Sequence, residues 1–332
     1  MYKRQGAPDL GDTFKVDWQH QVVPDLLISG QPCTNYSSSG NQLGEDGETG
    51  KFFVEQGGPI LTLEPSSFVL EMVANVRNVH NGRELKKLVD QLQSLYVVKT
   101  KIIRTIDHGD GTNRQRIFIV GLHRRMGKVA YTFRFPRGQG LPPPTARTYA
   151  IPDKDVPEKY WRDTPLLHRY PVRQPKPGKL HKVAQVADGM GHSSFPHAIY
   201  SWDGIFNCQT TYNGGGMRPP IDWVPSQRIE RCRLTTPLEC VRLASLPDDY
   251  LDLVRSIDTE DEFIFKSVNM GVPLRTATDI YTEVANILNL HTAVTGECAG
   301  STSTPEPAAH QCGRVHIDKQ RCCFASEVAN TC

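Results

Sequence analysis

Asp25-Leu26-Leu27-Ile28 is a short apolar run that empties into Ser29-Gly30-Gln31-Pro32-Cys33. Such a run, closed by a Gly/Pro turn, reads as a buried strand. It presents one thiol at the C-terminal edge of that strand, where open α/β sheets put their chemistry. A cysteine so placed is either a nucleophile or a small buried hydrophobe, and the rest of the chain has to decide.

At 332 residues the chain can form one large domain or two of ordinary size. It is 38% apolar and 22% charged, as a globular protein is, and its 27 glycines and 24 prolines predict many loops. No run of 18 apolar residues offers a membrane span. Met1–Gly6 lacks the apolar core of a signal peptide, so an intracellular, cytoplasmic protein with no membrane partner is expected. Nine cysteines, odd in number and irregular in spacing, make no disulfide framework. The net charge is only +2, yet fourteen Lys/Arg face five Asp/Glu between Arg124 and Asp188. A basic insert in an otherwise acidic chain suits a polyanion-facing module, or else a solvated loop region.

In chain order, Gly11–Val16 reads as a strand edge, followed by the Asp25–Ile28 strand and Cys33. Gly40–Gly50 is glycine-rich but acidic and lacks the Gly-Lys-Ser/Thr ending of a phosphate cradle, so a flexible flap beside Cys33 is expected. Lys51–Gln56 reads as a short helix ended by Gly57-Gly58-Pro59. Ser67–Val73 reads as a buried strand with Glu71 near its end, either a cap for the following turn or an active-site acid. Gly82–Leu95 is an amphipathic helix with Leu85, Leu88, Val89, Leu92 and Leu95 on its core stripe. Val97–Ile106 and Ile117–Gly121 read as strands. Arg114 and Arg116, two apart, would share a face of an extended chain and suit an anion or a base edge, or simply a solvated strand edge.

From Arg124 to about Ser194, ten prolines bar long helices and predict a loop-rich insert. Regularity returns at Ala198–Gly204, with a turn at Gly214-Gly215-Gly216. Thr236, Pro237 and Glu239 then open a helix as N-cap, N1 and N3. Asn269-Met270-Gly271-Val272-Pro273 precedes a last helix through Leu290. Thr295–Cys332 shows no periodicity. Its His310, Cys312, His316, Cys322 and Cys323 lack a C-x2-C pair, so no metal is expected there.

Together these segments resemble the DNA cytosine-5 methyltransferase family. Gly30–Ser37 fits its G-x-P-C-x-x-(F/Y)-S loop. Glu71-Met72-Val73 fits E-N-V with Met72 for asparagine, and Thr112–Arg116 fits Q-x-R-x-R with Thr112 for glutamine. Thr236–Leu243 with Pro247–Tyr250 fits T-P-x-E-C-x-R-L and P-D-x-Y, while Val268–Pro273 fits G-N-x-V-P loosely. Tyr200–Gly204 resembles the segment after the target-recognition region. The resemblance covers about residues 10–290.

The resemblance implies an α/β fold: a Rossmann-like class I S-adenosylmethionine-dependent methyltransferase sheet with a small target-recognition domain. The expected division is 1–123 catalytic, 124–195 target recognition, 196–292 return to the catalytic core, and 293–332 a disordered or non-native tail. The family's F-x-G-x-G turn and its acidic ribose-binding strand are not found here, so the sheet is expected to be N-terminally incomplete. By resemblance, Cys33 is the nucleophile, Glu71 the acid, and Arg114 and Arg116 its partners. Asp12, Pro32, Phe52 and Asn269 line the S-adenosylmethionine site. Double-stranded DNA is the implied partner, with a cognate restriction endonuclease as a separate protein and a monomer as the default state. The alternatives are a DNA-binding remnant without a complete cofactor site, and a cysteine hydrolase pairing Cys33 with His108 or His197.

Overall fold

The computed structural model describes residues 10–38, 40–163, 167–169, 174, 176, 178–186, 198–208 and 231–296. Gly214–Gly216, His197, Met1 and the tail with Cys298, His310, Cys312, His316, Cys322, Cys323 and Cys332 lie outside them. The chain divides into two compact units. The first takes in Met1–Ile103, Gln115–Pro136 and Thr278–Cys332, the second Arg104–Arg114 and Arg137–Ala277. Arg124–Pro136, at the head of the expected recognition segment, thus packs with the first unit.

The first unit is built on strands β1 (Leu26–Gly30), β2 (Ser67–Val73), β3 (Tyr96–Arg104) and, after the two-residue β4 (Thr112–Asn113), β5 (Gln115–His123). They form a sheet in the order β1-β2-β5-β3. β1 and β2 are parallel, from Leu26 opposite Ser67 to Gly30 opposite Glu71. β2 and β5 are antiparallel, from Ser67 opposite Leu122 to Val73 opposite Arg116. All seven β2 residues are buried, as an uninterrupted apolar run requires of a central strand. One consequence is that Glu71 is carried inside with its neighbours.

Three helices cover this sheet's core: α1 (Lys51–Glu55), α2 (Gly57–Leu63) and α3 (Arg83–Leu92). Leu88 and Leu92 of α3 are fully buried, and Leu85, Val89 and Leu95 pack against the same cluster, so the leucine stripe is core. Phe53, Ile60, Phe68, Leu70, Met72, Ile117 and Ile119 complete it.

Two expectations are corrected. Gly11–Val16 is no strand edge: Thr13–Lys15 is a 3₁₀ turn, closed by the Lys15 N–H donating to the Asp12 carbonyl at 2.8 Å. Gly57-Gly58-Pro59 does not end the helical segment but opens α2. Pro59 is tolerated because it sits in the first turn, where a missing N–H leaves no helical bond unmade.

The second unit contains β6 (Trp161–Asp163), β7 (Leu167–Arg169), β8 (Lys182–Val186), β9 (Ala198–Tyr200), β10 (Phe206–Asn207) and β11 (Arg231–Arg233). β7, β8 and β9 make a three-stranded sheet; β6 pairs with β11 and β4 with β10. Helices α4 (Pro237–Leu243), α5 (Asp249–Arg255) and α6 (Asp261–Met270) follow, and α7 (Leu274–Thr295) begins here. Asn269 and Met270 close α6, and Gly271–Pro273 lead into α7, so the segment precedes the last helix as expected. No described helix is long and apolar enough to cross a membrane.

Two buried carboxylates organise this unit. Thr236 and Glu239 form a reciprocal capping box at the start of α4. Glu239, with no exposed surface, also accepts both guanidinium N–H₂ groups of Arg233 at 2.8 and 2.9 Å and the Ile151 N–H at 3.0 Å. Arg233 lies 4.6 Å from the Trp202 ring centroid and donates through Nε to Asp153 at 2.8 Å. Asp110 accepts from the N–H groups of Arg275 and Thr276 at 3.2 and 3.0 Å, capping the first turn of α7 from far back in the chain. Burial pushes the Asp110 carboxyl above its usual range.

A buried guanidinium that loses one charged partner is costly even where a half-exposed second one, here Asp153, remains. Glu239→Gln is expected to lose about 3–5 kcal/mol of stability, measured by urea unfolding followed through tryptophan fluorescence. Replacing Arg233 by Met in the same variant should recover part of that loss.

Candidate active site

The parallel pairing of β1 and β2 brings Cys33 and Glu71 to one end of the sheet. Gly30 stands opposite Glu71 in register, and the next N–H, that of Gln31, donates to the Glu71 carbonyl at 3.1 Å. Pro32 has no N–H, so the ladder stops and the chain turns. The Cys33 carbonyl then accepts from the Tyr36 and Ser37 N–H groups at 3.0 and 2.8 Å. The thiol of Cys33 is free and exposed, so it is not the filler that a cysteine near a strand more often is.

Glu71 and Arg116 are both nearly buried, at 11% side-chain exposure each, and Arg116 Nε lies 2.7 Å from Glu71 Oε1. The register explains the pair. Val73 is opposite Arg116 across the β2–β5 ladder, so the arginine reaches back along the strand to a carboxylate two residues away. A Cβ built on Gly30 would stand 3.6 Å from Glu71 Oε2, so the second carboxyl oxygen faces the β1 backbone just before the nucleophile turn. Glu71 is thus an interior acid with one oxygen held and one aimed at the Cys33 end of the sheet, not a cap for the following turn.

Arg114 is placed differently. It lies in the second unit, 8% exposed, and its Nη1 donates to the Asn269 carbonyl at 2.5 Å. The Arg114 N–H bonds to the Thr112 carbonyl at 3.1 Å, closing a tight turn about Asn113 just before β5. Thr112, where the family pattern has glutamine, is buried, and its carbonyl accepts from the Thr105 hydroxyl at 2.6 Å.

Among the residues expected to line a cofactor site, Pro32 directly precedes Cys33. Asp12 is partly exposed and 3.5 Å from Lys15 Nζ, and Phe52 is half-buried on α1. Asn269 is buried in the second unit, with Cys240 Sγ 3.5 Å from its Oδ1. An exposed carboxylate, an imide ring and a partly open aromatic face suit the amine, the ribose and the flat base of a nucleoside. Asn269 has its side-chain oxygen already engaged.

The segment after Cys33 is held by residues to which the sequence assigned no role, although Tyr36 was matched as the aromatic of the loop pattern. Tyr36 is fully buried; its hydroxyl donates to the Gly50 carbonyl at 2.9 Å, and its ring meets Phe53 edge-on at 5.6 Å. Burial, with Glu84, Glu45 and Asp46 nearby, pushes its phenol above the ordinary range. Asn35 turns its amide oxygen to the N–H groups of Thr49 and Gly50 at 3.2 and 3.0 Å and its nitrogen to Asn41. Asn75, just past β2, donates to the Tyr36 carbonyl at 2.9 Å. Two glycines of the same segment allow close backbone approach. A Cβ on Gly50 would overlap the Gly44 carbonyl, and one on Gly47 would overlap the Asn35 amide. The polar residues at 35, 36 and 75 carry no spacing signal, because their partners are set by tertiary contact.

His108, one candidate base for a hydrolase, is 2% exposed within the second unit. Among the described residues no group of three or more His, Cys, Asp or Glu is placed to hold a metal ion.

Arg116→Ala leaves the Glu71 carboxylate buried without its cation. The variant is expected to lose about 2–3 kcal/mol. Urea unfolding of the variant beside wild type checks this; equal stability of the two would show that the pair contributes nothing to the fold.

Comparison with known proteins places this arrangement. The profile of the C-5 cytosine-specific DNA methylase family matches residues 2–286. Type II methyltransferase M1.ScrFI of Lactococcus lactis subsp. cremoris is 28% identical over 254 residues, 76% of this chain and 61% of that protein. Type II methyltransferase M.NgoBI of Neisseria gonorrhoeae is 32% identical over 246 residues, 74% of this chain and 70% of that protein. The chain therefore spans under two thirds of the length of M1.ScrFI. Among solved structures, the Entamoeba histolytica methyltransferase EhMeth aligns with a TM-score of 0.56 at 15% identity, covering 79% of this chain and 77% of that one. The S. pombe Dnmt2 methyltransferase aligns at 0.54 and 13% identity, covering 80% and 78%. The fold is accordingly the Rossmann-like α/β fold of these methyltransferases, as the resemblance implied. The chain belongs to the C-5 cytosine-specific DNA methylase family.

Proposed function

We propose that this chain carries the nucleophile and acid of a DNA cytosine-5 methyltransferase. The observation that supports this reading best is the Glu71–Arg116 pair at the end of the strand pairing that delivers an exposed Cys33.

Carbon 5 of cytosine is a weak nucleophile, and adding a thiolate to carbon 6 makes it a strong one. Cys33 forms that carbon–sulfur bond, and electron density moves toward ring nitrogen N3. Glu71, at the oxygen that Arg116 does not occupy, shares a proton with N3 as charge builds there. Arg116 fixes the carboxyl and reaches the base carbonyl, with Arg114 as a second guanidinium close by in sequence. S-adenosylmethionine, when bound, supplies an electrophilic methyl group to carbon 5. Asp12, Pro32 and Phe52 would hold it, and Asn269 is counted with them on the resemblance alone. The carbon-5 proton then passes to solvent, its electron pair re-forms the carbon 5–carbon 6 double bond, and Cys33 leaves as thiolate.

The target base must leave the duplex for this, at a cost of a few kcal/mol. The basic stretch of 124–195 supplies the phosphate contacts that hold the flipped duplex, as its charge excess suits. Double-stranded DNA is the partner, a restriction endonuclease is a separate companion, and the protein acts as a monomer in the cytoplasm of a bacterial or phage-infected cell.

Cys33→Ser is expected to abolish methyl transfer from labelled S-adenosylmethionine to duplex DNA while leaving DNA affinity within about twofold of wild type at equal salt. Substantial turnover by the serine variant would remove Cys33 from the reaction. A wild-type chain that binds DNA but transfers no methyl group would make it a binding remnant.

A further inference from the structure

We infer that Asn75 is a positioning residue for Cys33, clamping the nucleophile loop onto the end of the strand that carries Glu71. Asn75 sits in the 3₁₀ turn Ala74–Arg77, which follows β2 without a break. Its Nδ2 donates to the Tyr36 carbonyl at 2.9 Å and to Gln42 Oε1 at 3.4 Å. Its Oδ1 accepts from Asn78 Nδ2 at 3.0 Å. The orientation of the amide is fixed by chemistry, since the Tyr36 carbonyl only accepts and must face the nitrogen. Both donor hydrogens are therefore spent on the loop, one three residues past Cys33 and one in its middle.

The contact acts on Cys33 through a short, closed path. The Tyr36 N–H bonds back to the Cys33 carbonyl, so the peptide whose oxygen Asn75 holds belongs to the turn that presents the thiol. Gln42 has a left-handed backbone, φ 55°, a conformation that persists only where neighbours hold it. Where the resembling tripeptide has asparagine, this chain has Met72, which is 1% exposed among the core residues and has no donor to offer. Asn75 is the amide that this chain places between strand and loop. Glu71 and Cys33 thus share one rigid support: the β1–β2 ladder on one side and Asn75 on the other.

The inference takes Cys33 as the nucleophile from the reading above, but its test does not need methyl transfer. Asn75→Asp keeps the shape and removes both donors. Two readouts on the full chain are compared with wild type: amide hydrogen exchange, and the rate of Cys33 alkylation by iodoacetamide with Cys208 as internal reference. The variant is expected to lose at least tenfold of the protection at Tyr36, Ser37, Gly40 and Gly44, with β2 and β5 unchanged. Cys33 alkylation should shift at least threefold relative to Cys208. Gln42→Ala, which removes only the weaker contact, should give a smaller change of the same kind if the aspartate variant does not fold. Wild-type protection in the loop, protection lost equally across β2 and β5, or unchanged Cys33 reactivity would each overturn the assignment. Failure of methyl transfer in the wild-type chain would bear on the proposed reaction alone.

Discussion

The first unit depends on a buried strand that carries a charge. β2 is enclosed at every position, yet its fifth residue is Glu71, and a lone carboxylate there would cost several kcal/mol. Arg116 compensates it from the neighbouring strand, and the antiparallel register sets where that arginine must start. The same strand pairs in parallel with β1, so both run out at one edge, where Gly30 faces Glu71 and the chain turns through Pro32 into Cys33. Core packing, charge compensation and placement of the thiol are therefore one constraint seen from three sides. Moving the β2–β5 register by a single residue would part Glu71 from Arg116, and moving the β1–β2 register would take Gly30 and the thiol turn away from Glu71.

The loop beyond Cys33 extends this logic into irregular structure. A segment without ladder hydrogen bonds must satisfy its backbone by other means. Asn35, Tyr36 and Asn75 do so, each spending side-chain polar atoms on loop carbonyls or N–H groups. Glycine is needed at 47 and 50 because the chain folds back on itself at contact distance. The outcome is an exposed thiol on a packed support, which suits a nucleophile that must meet a flat ring at a fixed angle.

Much of this was legible in the sequence because it is periodic. The β2 run, the leucine stripe of α3 and the Thr236–Glu239 capping box were found where patterning put them. The pairing of Glu71 with Arg116 rested on the resemblance, since no local rule joins residues 71 and 116. The partner of Arg114 was not legible, because the Asn269 carbonyl it meets lies far along the chain and no local pattern joins the two. Nor were Gly11–Val16 and Gly57–Pro59, where local hydrogen bonding decided between extended and helical turns. The burial of Asp110 was not legible because the Thr276 that holds it is distant in sequence, and the capping pattern that placed Glu239 gave no sign of its second partner, Arg233.

The central claim is that Cys33 forms a covalent bond to the base. It is tested most directly with duplex DNA carrying 5-fluorocytosine at the target, where a fluorine replaces the proton whose loss would release the enzyme. After incubation with S-adenosylmethionine, denatured protein is digested and the DNA-linked peptide is sequenced by mass spectrometry. The account predicts a stable adduct on the peptide containing Cys33, through its sulfur. An adduct on any other residue, or methylation proceeding through a chain whose Cys33 is blocked, would contradict it.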